Sequence, residues 1–145
     1  MLKKTITWSD FDGNERTEDF YFNLTKAELT NMFNSVNGGL EKYLTRILAA
    51  QDGPAIMNAV RDIIKAAYGE KSPDGRKFMK SEEIFKDFEA TEAYSEFFMG
   101  LIDSEDATLE FVIGVLPQDM QASIREEMTK VAEETKQLQA AANNT

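Results

Sequence analysis

The paired carboxylates are the residues in this sequence whose types and spacing come closest to a catalytic arrangement. Two dense groups occur, one at Glu82 and Glu83 and the other at Asp103, Glu105 and Asp106. Neighbouring carboxylates can share acid and base roles, as they do in glycoside hydrolysis. Both groups, however, stand at predicted helix starts, where the positive end of the helix dipole favours negative side chains. That placement accounts for them without catalysis.

Histidine and cysteine are both absent from the 145 residues, and their absence limits the possible chemistry. Histidine is the usual general base near neutral pH and the commonest metal ligand. Cysteine supplies the thiolate of many nucleophilic sites and the other main zinc ligand. Ser-His and Cys-His catalysis, structural zinc, haem ligation and disulfide bonds are therefore excluded. We expect a protein that binds rather than catalyses, with no enzyme activity, no cofactor and no metal site.

One segment superficially resembles a calcium-binding loop, namely residues 10–14 with the sequence Asp-Phe-Asp-Gly-Asn. An EF-hand loop beginning at Asp10 would need glycine at its sixth position and glutamate at its twelfth. Those positions hold Glu15 and Tyr21, so the pattern fails. The Asp12-Gly13 dipeptide instead predicts a tight hairpin turn, because glycine readily adopts positive φ angles.

The negative charge of the chain is concentrated in one segment. The formal net charge is −10 and the isoelectric point is about 4.5. Between Glu82 and Glu110 there are ten acidic residues and one basic residue, Lys86, so this segment carries −9 and the rest of the chain −1. Nucleic-acid backbones would repel such a surface. No apolar run is long enough to span a membrane. We therefore expect neither nucleic acid nor membrane as a partner.

The same segment is rich in aromatic and aliphatic residues, and two interpretations of them remain open. At helical spacing they form apolar stripes, which usually pack inside a domain while the acids face solvent. Alternatively, they line an acid-rimmed apolar groove for a basic amphipathic helix. Both can hold, with some aromatics buried and others at a groove. The candidate partner-binding residues are Phe85, Phe88, Glu92, Tyr94, Glu96, Phe97, Phe98, Leu101 and Glu105.

The elements that must position these residues begin with a β-hairpin over residues 2–23. Residues 2–9 alternate in character, and a second strand follows the turn from about Asn14 to Asn23. A lone hairpin is marginally stable in water, so its apolar face must rest on helices or on another chain.

Helices account for most of the remaining chain. Thr25 and Glu28 have the spacing of a capping box, which predicts a helix from residue 26 that breaks at Gly38-Gly39. Six more predicted helices cover about residues 40–48, 54–69, 81–89, 91–102, 104–116 and 118–139. Gly69 is predicted to end its helix in the left-handed conformation, and residues 69–80 are predicted to form a loop.

These elements predict a mainly α fold with a small N-terminal antiparallel hairpin, an α+β arrangement. We expect a single compact domain over residues 1–116, with the hairpin at 2–23 and helices at 26–116. Residues 117–145 are predicted to form a C-terminal helix and a polar tail that frays from Ala140. That helix either packs on the domain or takes part in self-association, because its apolar stripe is narrow.

Three runs carry a resemblance to a known family. The first covers residues 5–29, with a strand, an Asp-Phe-Asp-Gly turn, a Phe-x-Phe-Asn-Leu strand end and a Thr-x-x-Glu helix start. The second covers residues 68–81 and the third residues 88–98. In content and order they resemble the tail assembly chaperones of long-tailed, siphovirus-type phages and prophages of Gram-positive bacteria.

The resemblance implies an assembly factor without enzyme activity. Such chaperones coat the tape measure protein before the tail tube polymerises around it, and they help to recruit tail tube subunits. The implied partners are therefore the tape measure protein, the tail tube protein and further copies of the chain. The implied location is the host cytoplasm, with the protein absent from the mature virion.

Two other classes compete with this interpretation. The chain could be a virion structural protein of the tail or of the head-tail connector. It could also be an acidic inhibitor that mimics nucleic acid, in which case its carboxylates would form an ordered exposed array. An enzyme is the weakest option, because it would require carboxylate or lysine chemistry with perturbed pKa values.

Overall fold

The computed structural model describes residues 1–33, 39, 42–43 and 53–143. The strands are β1 Leu2–Ser9, β2 Glu15–Phe22, β3 Tyr68–Lys71 and β4 Phe78–Met79. The helices are α1 Lys26–Phe33, α2 Gly53–Ala67, α3 Glu82–Glu89, α4 Glu92–Ile102, α5 Glu105–Val115 and α6 Gln118–Asn143. The prediction of a mainly helical α+β fold is confirmed. The helix predicted over residues 40–48 lies outside the described residues except for Lys42 and Tyr43, which are helical.

The N-terminal hairpin forms as predicted. β1 and β2 are antiparallel and in register from Ser9 opposite Glu15 to Leu2 opposite Phe22. In the turn, Gly13 has a φ of +84°, and one Asp10 carboxylate oxygen accepts the amide of Asn14 at 2.9 Å. The Arg16 side chain donates to the other oxygen at 2.7 Å and, with the turn amides, lowers the pKa of Asp10. The Asp10 carboxylate therefore ties the turn to the start of β2.

The loop predicted over residues 69–80 is wrong, because this segment adds two strands to the sheet. β3 pairs with β2 through Tyr68 and Gly69, and β4 pairs with β3, so the antiparallel order is β1-β2-β3-β4. The predicted left-handed conformation at Gly69 is also wrong, since α2 ends at Ala67 and Gly69 lies in a strand. A Cβ atom at Gly69 would stand 2.7 Å from the carbonyl oxygen of Met79. Glycine is needed there for close strand approach.

Three predicted helix starts show the expected capping. The Thr25 and Glu28 side chains each accept the other's backbone amide, at 3.1 and 3.0 Å, which completes the capping box. Ser81 and Ser104 accept amides in the first turns of α3 and α5, at 3.1 and 3.2 Å. Thr91 stands at the start of α4 but donates its hydroxyl to the Phe88 carbonyl instead. Local sequence therefore sets where these helices begin.

The core lies between one face of the sheet and the helices. Phe22 is fully buried at its centre, with its ring 5.0 Å from that of Phe97 and 5.3 Å from that of Phe111. α4 contacts β1 as well as α2, α3 and α5, so it is the central helix of the packing. Burying each such aromatic side chain stabilises the fold by about 2–3 kcal/mol.

The last helix is partly docked on the core and longer than predicted. Met120, Ile124 and Met128 are buried in the same cluster as the hairpin residues, and Arg125 pairs with Glu110 of α5. The helix continues to Asn143, beyond the predicted end near residue 139. Leu138, near the end of the helix, is 72% exposed. None of the helices in the described ranges has the length and apolar character needed to cross a bilayer.

Candidate partner-binding surface

The acidic segment of residues 82–110 forms α3, α4 and the first half of α5. Three of its ten acids make ion pairs, Glu82 with Lys65, Glu89 with Arg61, and Glu110 with Arg125. The other seven are exposed and have no ion pair with any residue that the structure describes. These are Glu83, Asp87, Glu92, Glu96, Asp103, Glu105 and Asp106. This surface therefore carries unneutralised negative charge in the free protein.

Four of the six apolar candidates belong to the core. Phe85, Phe88, Phe97 and Leu101 are all buried. Phe97 stacks on Phe22, and Phe88 packs 4.4 Å from the ring of Tyr68, so both join the helices to the sheet. In this conformation the four side chains present no surface to a partner. Helical spacing predicted the stripe correctly, but spacing alone does not tell a buried stripe from an exposed one.

Tyr94 and Phe98 are the apolar candidates that reach the surface. Both are half-buried, and their rings stack with centroids 5.9 Å apart at an interplanar angle of 16°. Ile102, also half-buried, continues the row one helical turn further on. Burial, followed by the negative charge of Glu89, raises the pKa of the Tyr94 hydroxyl. We refer to Tyr94, Phe98 and Ile102 as the α4 strip.

The predicted acidic candidates are exposed, but they do not all border the α4 strip. Glu92 and Glu96 are one helical turn apart and lie on the side of α4 away from the α4 strip. Glu96 lines a shallow groove of about 380 Å³ beside β1, together with Gly100. Glu105 stands in the first turn of α5. The structure therefore separates the predicted set into a buried group, the α4 strip and a dispersed acidic surface.

The strip side of α4 has its own charges, which sequence reasoning missed. Glu89 accepts a hydrogen bond from Arg61 of α2 at 2.9 Å. The Arg61 guanidinium also lies 5.8 Å from the centre of the Phe85 ring. Because Arg61 and Glu89 are 28 residues apart, no local pattern could have paired them.

A second concavity was also missed, because it depends on strands that were predicted as loop. It has a volume of about 720 Å³ and lies between β2, β3 and the end of α3. The signal that could have found it is Asp74-Gly75, a hairpin-type dipeptide between two short runs that contain Tyr68 and Phe78. Gly75 has a φ of +73°, as such a turn requires.

Comparison with known families decides the identity of the chain. A family model described as phage tail assembly chaperone matches residues 1–145. The chain belongs to this family. No curated protein and no solved structure matches it significantly. Membership of a chaperone family indicates a non-enzymatic role with protein partners in the phage tail.

Proposed function

We propose that this tail assembly chaperone binds the tape measure protein transiently and shields its apolar helices until the tail tube forms around them. It also helps to recruit tail tube subunits, acts in the host cytoplasm, and is absent from the mature virion. Its phage or prophage is of the long-tailed type that infects Gram-positive bacteria. The family match supports the assembly role. The partner assignment rests on the seven exposed carboxylates of residues 82–110 that have no ion pair within the described part of the chain.

The acidic surface suits a helix that is apolar on one side and basic on the other. The α4 strip offers half-buried aromatic area to the apolar side, and the carboxylates on the neighbouring faces of α3 to α5 attract basic residues along the rest of the partner. Charges around a contact mainly raise the association rate and make it depend on salt, whereas the buried apolar area holds the complex. Such contacts are weak singly, which suits a chaperone that must later leave. Several copies along one tape measure protein would gain avidity.

Co-expression with the tape measure protein tests this proposal by recovery on an affinity tag fused to the chaperone. The test variant reverses three acids, Glu92→Lys, Glu96→Lys and Glu105→Lys. The matched control reverses Glu126, Glu133 and Glu134 of α6, which changes the net charge by the same amount. We expect the test variant to lower recovery about fivefold at low salt and the control to lower it less than twofold. Unchanged recovery of the test variant at low and high salt would contradict the acidic surface.

Two further measurements test the remaining parts of the proposal. Mass spectrometry of purified particles is expected to find the chaperone well below the abundance of tail tube protein. Stoichiometric amounts in the particle would instead make the chain a structural component. Recruitment is tested by adding tail tube protein to a tape measure complex with and without the chaperone. Equal tube recovery in both samples would remove the recruiting role.

A further inference from the structure

β2 is longer than the strand beside it, which leaves part of its edge open. It pairs with β1 over its whole length but with β3 only at Tyr21 and Phe22. β3 then diverges and pairs with β4 through Glu70 and Lys71. Within the residues that the structure describes, no strand lies beside residues 15–20 of β2 on the side away from β1.

The backbone groups on that open edge follow from the alternation of antiparallel strands. Every second residue directs its N–H and C=O towards the same neighbouring strand. The Asn23 amide donates to the Ala67 carbonyl at 2.9 Å, so Asn23 faces the β3 side. By alternation Asp19, Thr17 and Glu15 face the same side, beyond the point where β3 diverges. Their backbone groups are therefore available to an added strand, the geometry by which sheets capture extended peptides.

The concavity beside this edge has an aromatic floor. The rings of Phe20, Tyr68 and Phe88 lie together, with centroids 4.8 Å apart for Phe20 and Phe88 and 4.4 Å apart for Tyr68 and Phe88. The volume of about 720 Å³ is open along the edge of β2. We refer to this concavity as the β2 cleft. It can take side chains from a strand placed against the edge, because alternate residues of a strand point to one face.

The walls of the β2 cleft are acidic. Lys71 is the one base among the described residues that line it, and its ammonium lies 4.3 Å from the centre of the Tyr21 ring. Burial raises the pKa of Tyr68 to about 12, and the negative charges of three wall residues add to the shift. The acidic wall residues are Glu18, Asp19, Glu70 and Asp87. Lysine and arginine fit such a site, since their apolar stems can lie on rings while their charged ends meet carboxylates.

We propose that the β2 cleft binds an extended segment of a partner protein that carries lysine or arginine at alternate positions, and that this segment pairs with the open edge of β2. The inference goes beyond the proposed function, because it concerns an extended segment and the open edge of β2, which is no part of the α4 strip. A second copy of the chain is a poorer occupant, since each copy carries a net charge of −10.

Peptide binding to the full chain tests the proposal. The probe is a fluorescent eight-residue peptide of alternating lysine and valine, and the charge control alternates glutamate and valine. A third peptide keeps the lysines but is N-methylated on the backbone of one edge, which removes donors without changing charge. We expect the lysine peptide to bind, the glutamate peptide not to bind, and the methylated peptide to bind at least tenfold more weakly. If the methylated peptide binds as tightly as the unmethylated lysine peptide, binding depends on charge alone. That result would overturn strand addition.

Matched variants of the chain test the same site by changing the protein instead of the peptide. Thr17→Pro removes an amide donor that faces the open edge and spares the ladder to β1, and proline is tolerated at such edges. Thr17→Ala keeps the donor and is its control. We expect the proline variant to bind the lysine peptide at least tenfold more weakly, and the alanine variant to bind within twofold of the parent. If the proline variant does not fold, slowed amide exchange at Thr17 and Asp19 on peptide binding serves as the measurement.

The outcomes separate this inference from the proposed function. The peptide assay uses neither the tape measure protein nor the α4 strip, so it succeeds or fails independently of the co-expression test. Failure of the lysine peptide to bind at millimolar concentration would overturn the inference and leave the proposed function standing. Self-association that Thr17→Pro abolishes would also overturn it, because the occupant would then be another copy of the chain.

Discussion

The α4 strip and the β2 cleft both lie at the surface, but they are formed from different parts of the sequence. The strip lies in the segment where acids and aromatics are densest in the sequence, yet most of those aromatics are used in the core. The β2 cleft draws on three separate parts of the chain, and only the part around Asp87 and Phe88 lies in the acidic segment. Composition therefore located the charge of this protein, whereas the β2 cleft arose from the divergence of β3 from β2.

Phe88 lines the β2 cleft and contacts the α4 strip, so its removal is expected to have the largest effect. It is buried on the floor of the β2 cleft, and its ring also lies 5.5 Å from Tyr94 of the α4 strip. Phe88→Ala is expected to lower the free energy of unfolding by about 3–5 kcal/mol. The control Phe98→Ala, at a half-buried site, is expected to cost about 1 kcal/mol. Urea denaturation measures both changes. Equal losses in the free energy of unfolding would contradict the assignment of Phe88 to the core and Phe98 to the surface.

Gly69 tests whether close strand packing shapes the β2 cleft. Gly69→Ala would place a Cβ atom 2.7 Å from the Met79 backbone oxygen and 2.8 Å from the Phe78 ring. We expect a loss of about 1–3 kcal/mol in the free energy of unfolding, because the backbone must shift. Amide hydrogen exchange should show the opening at β3 and β4. A variant as stable as the parent would show that the strands have room to separate.

The ionisation of Tyr68 tests how strongly the negative charges of the β2 cleft act on a group inside it. Its pKa is about 12 in the folded chain against 10 for an ordinary tyrosine, so the folded state holds the proton more tightly. The stability that this difference contributes is present below pH 10 and is lost as pH rises from 10 to about 12. Each pKa unit corresponds to about 1.4 kcal/mol, and about 2 kcal/mol is lost by pH 12, where the hydroxyl is only half ionised in the folded chain.

Denaturation at pH 9 and pH 12 measures this loss, with Tyr68→Phe as the control that lacks the ionising hydroxyl. The parent is expected to lose more stability than the control over this interval. Replacing Glu70 and Asp87 by their amides should bring the pKa of Tyr68 down, as followed by absorbance of the phenolate. If the pKa of Tyr68 is unchanged in this variant, burial alone causes the shift.

Replacement of Gly100 is expected to have the smallest effect, and it should raise the free energy of unfolding rather than lower it. A Cβ atom there meets no other atom within 4 Å, since the residue lies on the exposed side of α4. Gly100→Ala is expected to stabilise the protein by about 0.5–1 kcal/mol, because glycine in a helix interior lowers stability relative to alanine. Thermal unfolding measures the change. A destabilised variant would mean that the groove between β1 and α4 is tighter than the structure shows.

One lysine illustrates a contact that only tertiary structure creates. The Lys80 ammonium donates to the carbonyls of Asn23 and Ala66 at 2.6 and 2.8 Å and to Glu28 at 2.7 Å. Burial alone would raise the pKa of Glu28, but bonds from Lys80 and Thr25 outweigh it and lower that pKa. In the sequence Lys80 is one of 16 basic residues with no distinguishing neighbours.

The sequence by itself determined the local features of this protein. The hairpin of β1 and β2, the helix starts at Thr25, Ser81 and Ser104, and the acidic segment were all predictable. Each depends on residues within a few positions of one another, through side-chain alternation, capping bonds or simple charge. These features therefore do not depend on how distant parts of the chain pack.

Tertiary structure alone decided the rest. The pairing of Tyr21 with Gly69 joins residues 48 positions apart, and the burial of Phe97 depends on Phe22 arriving from the sheet. Neither contact has a local signature, because a short run such as residues 68–71 becomes a strand only when another strand is beside it. The division of the aromatics between core and surface, and the cleft at the open edge of β2, therefore belong to the folded chain.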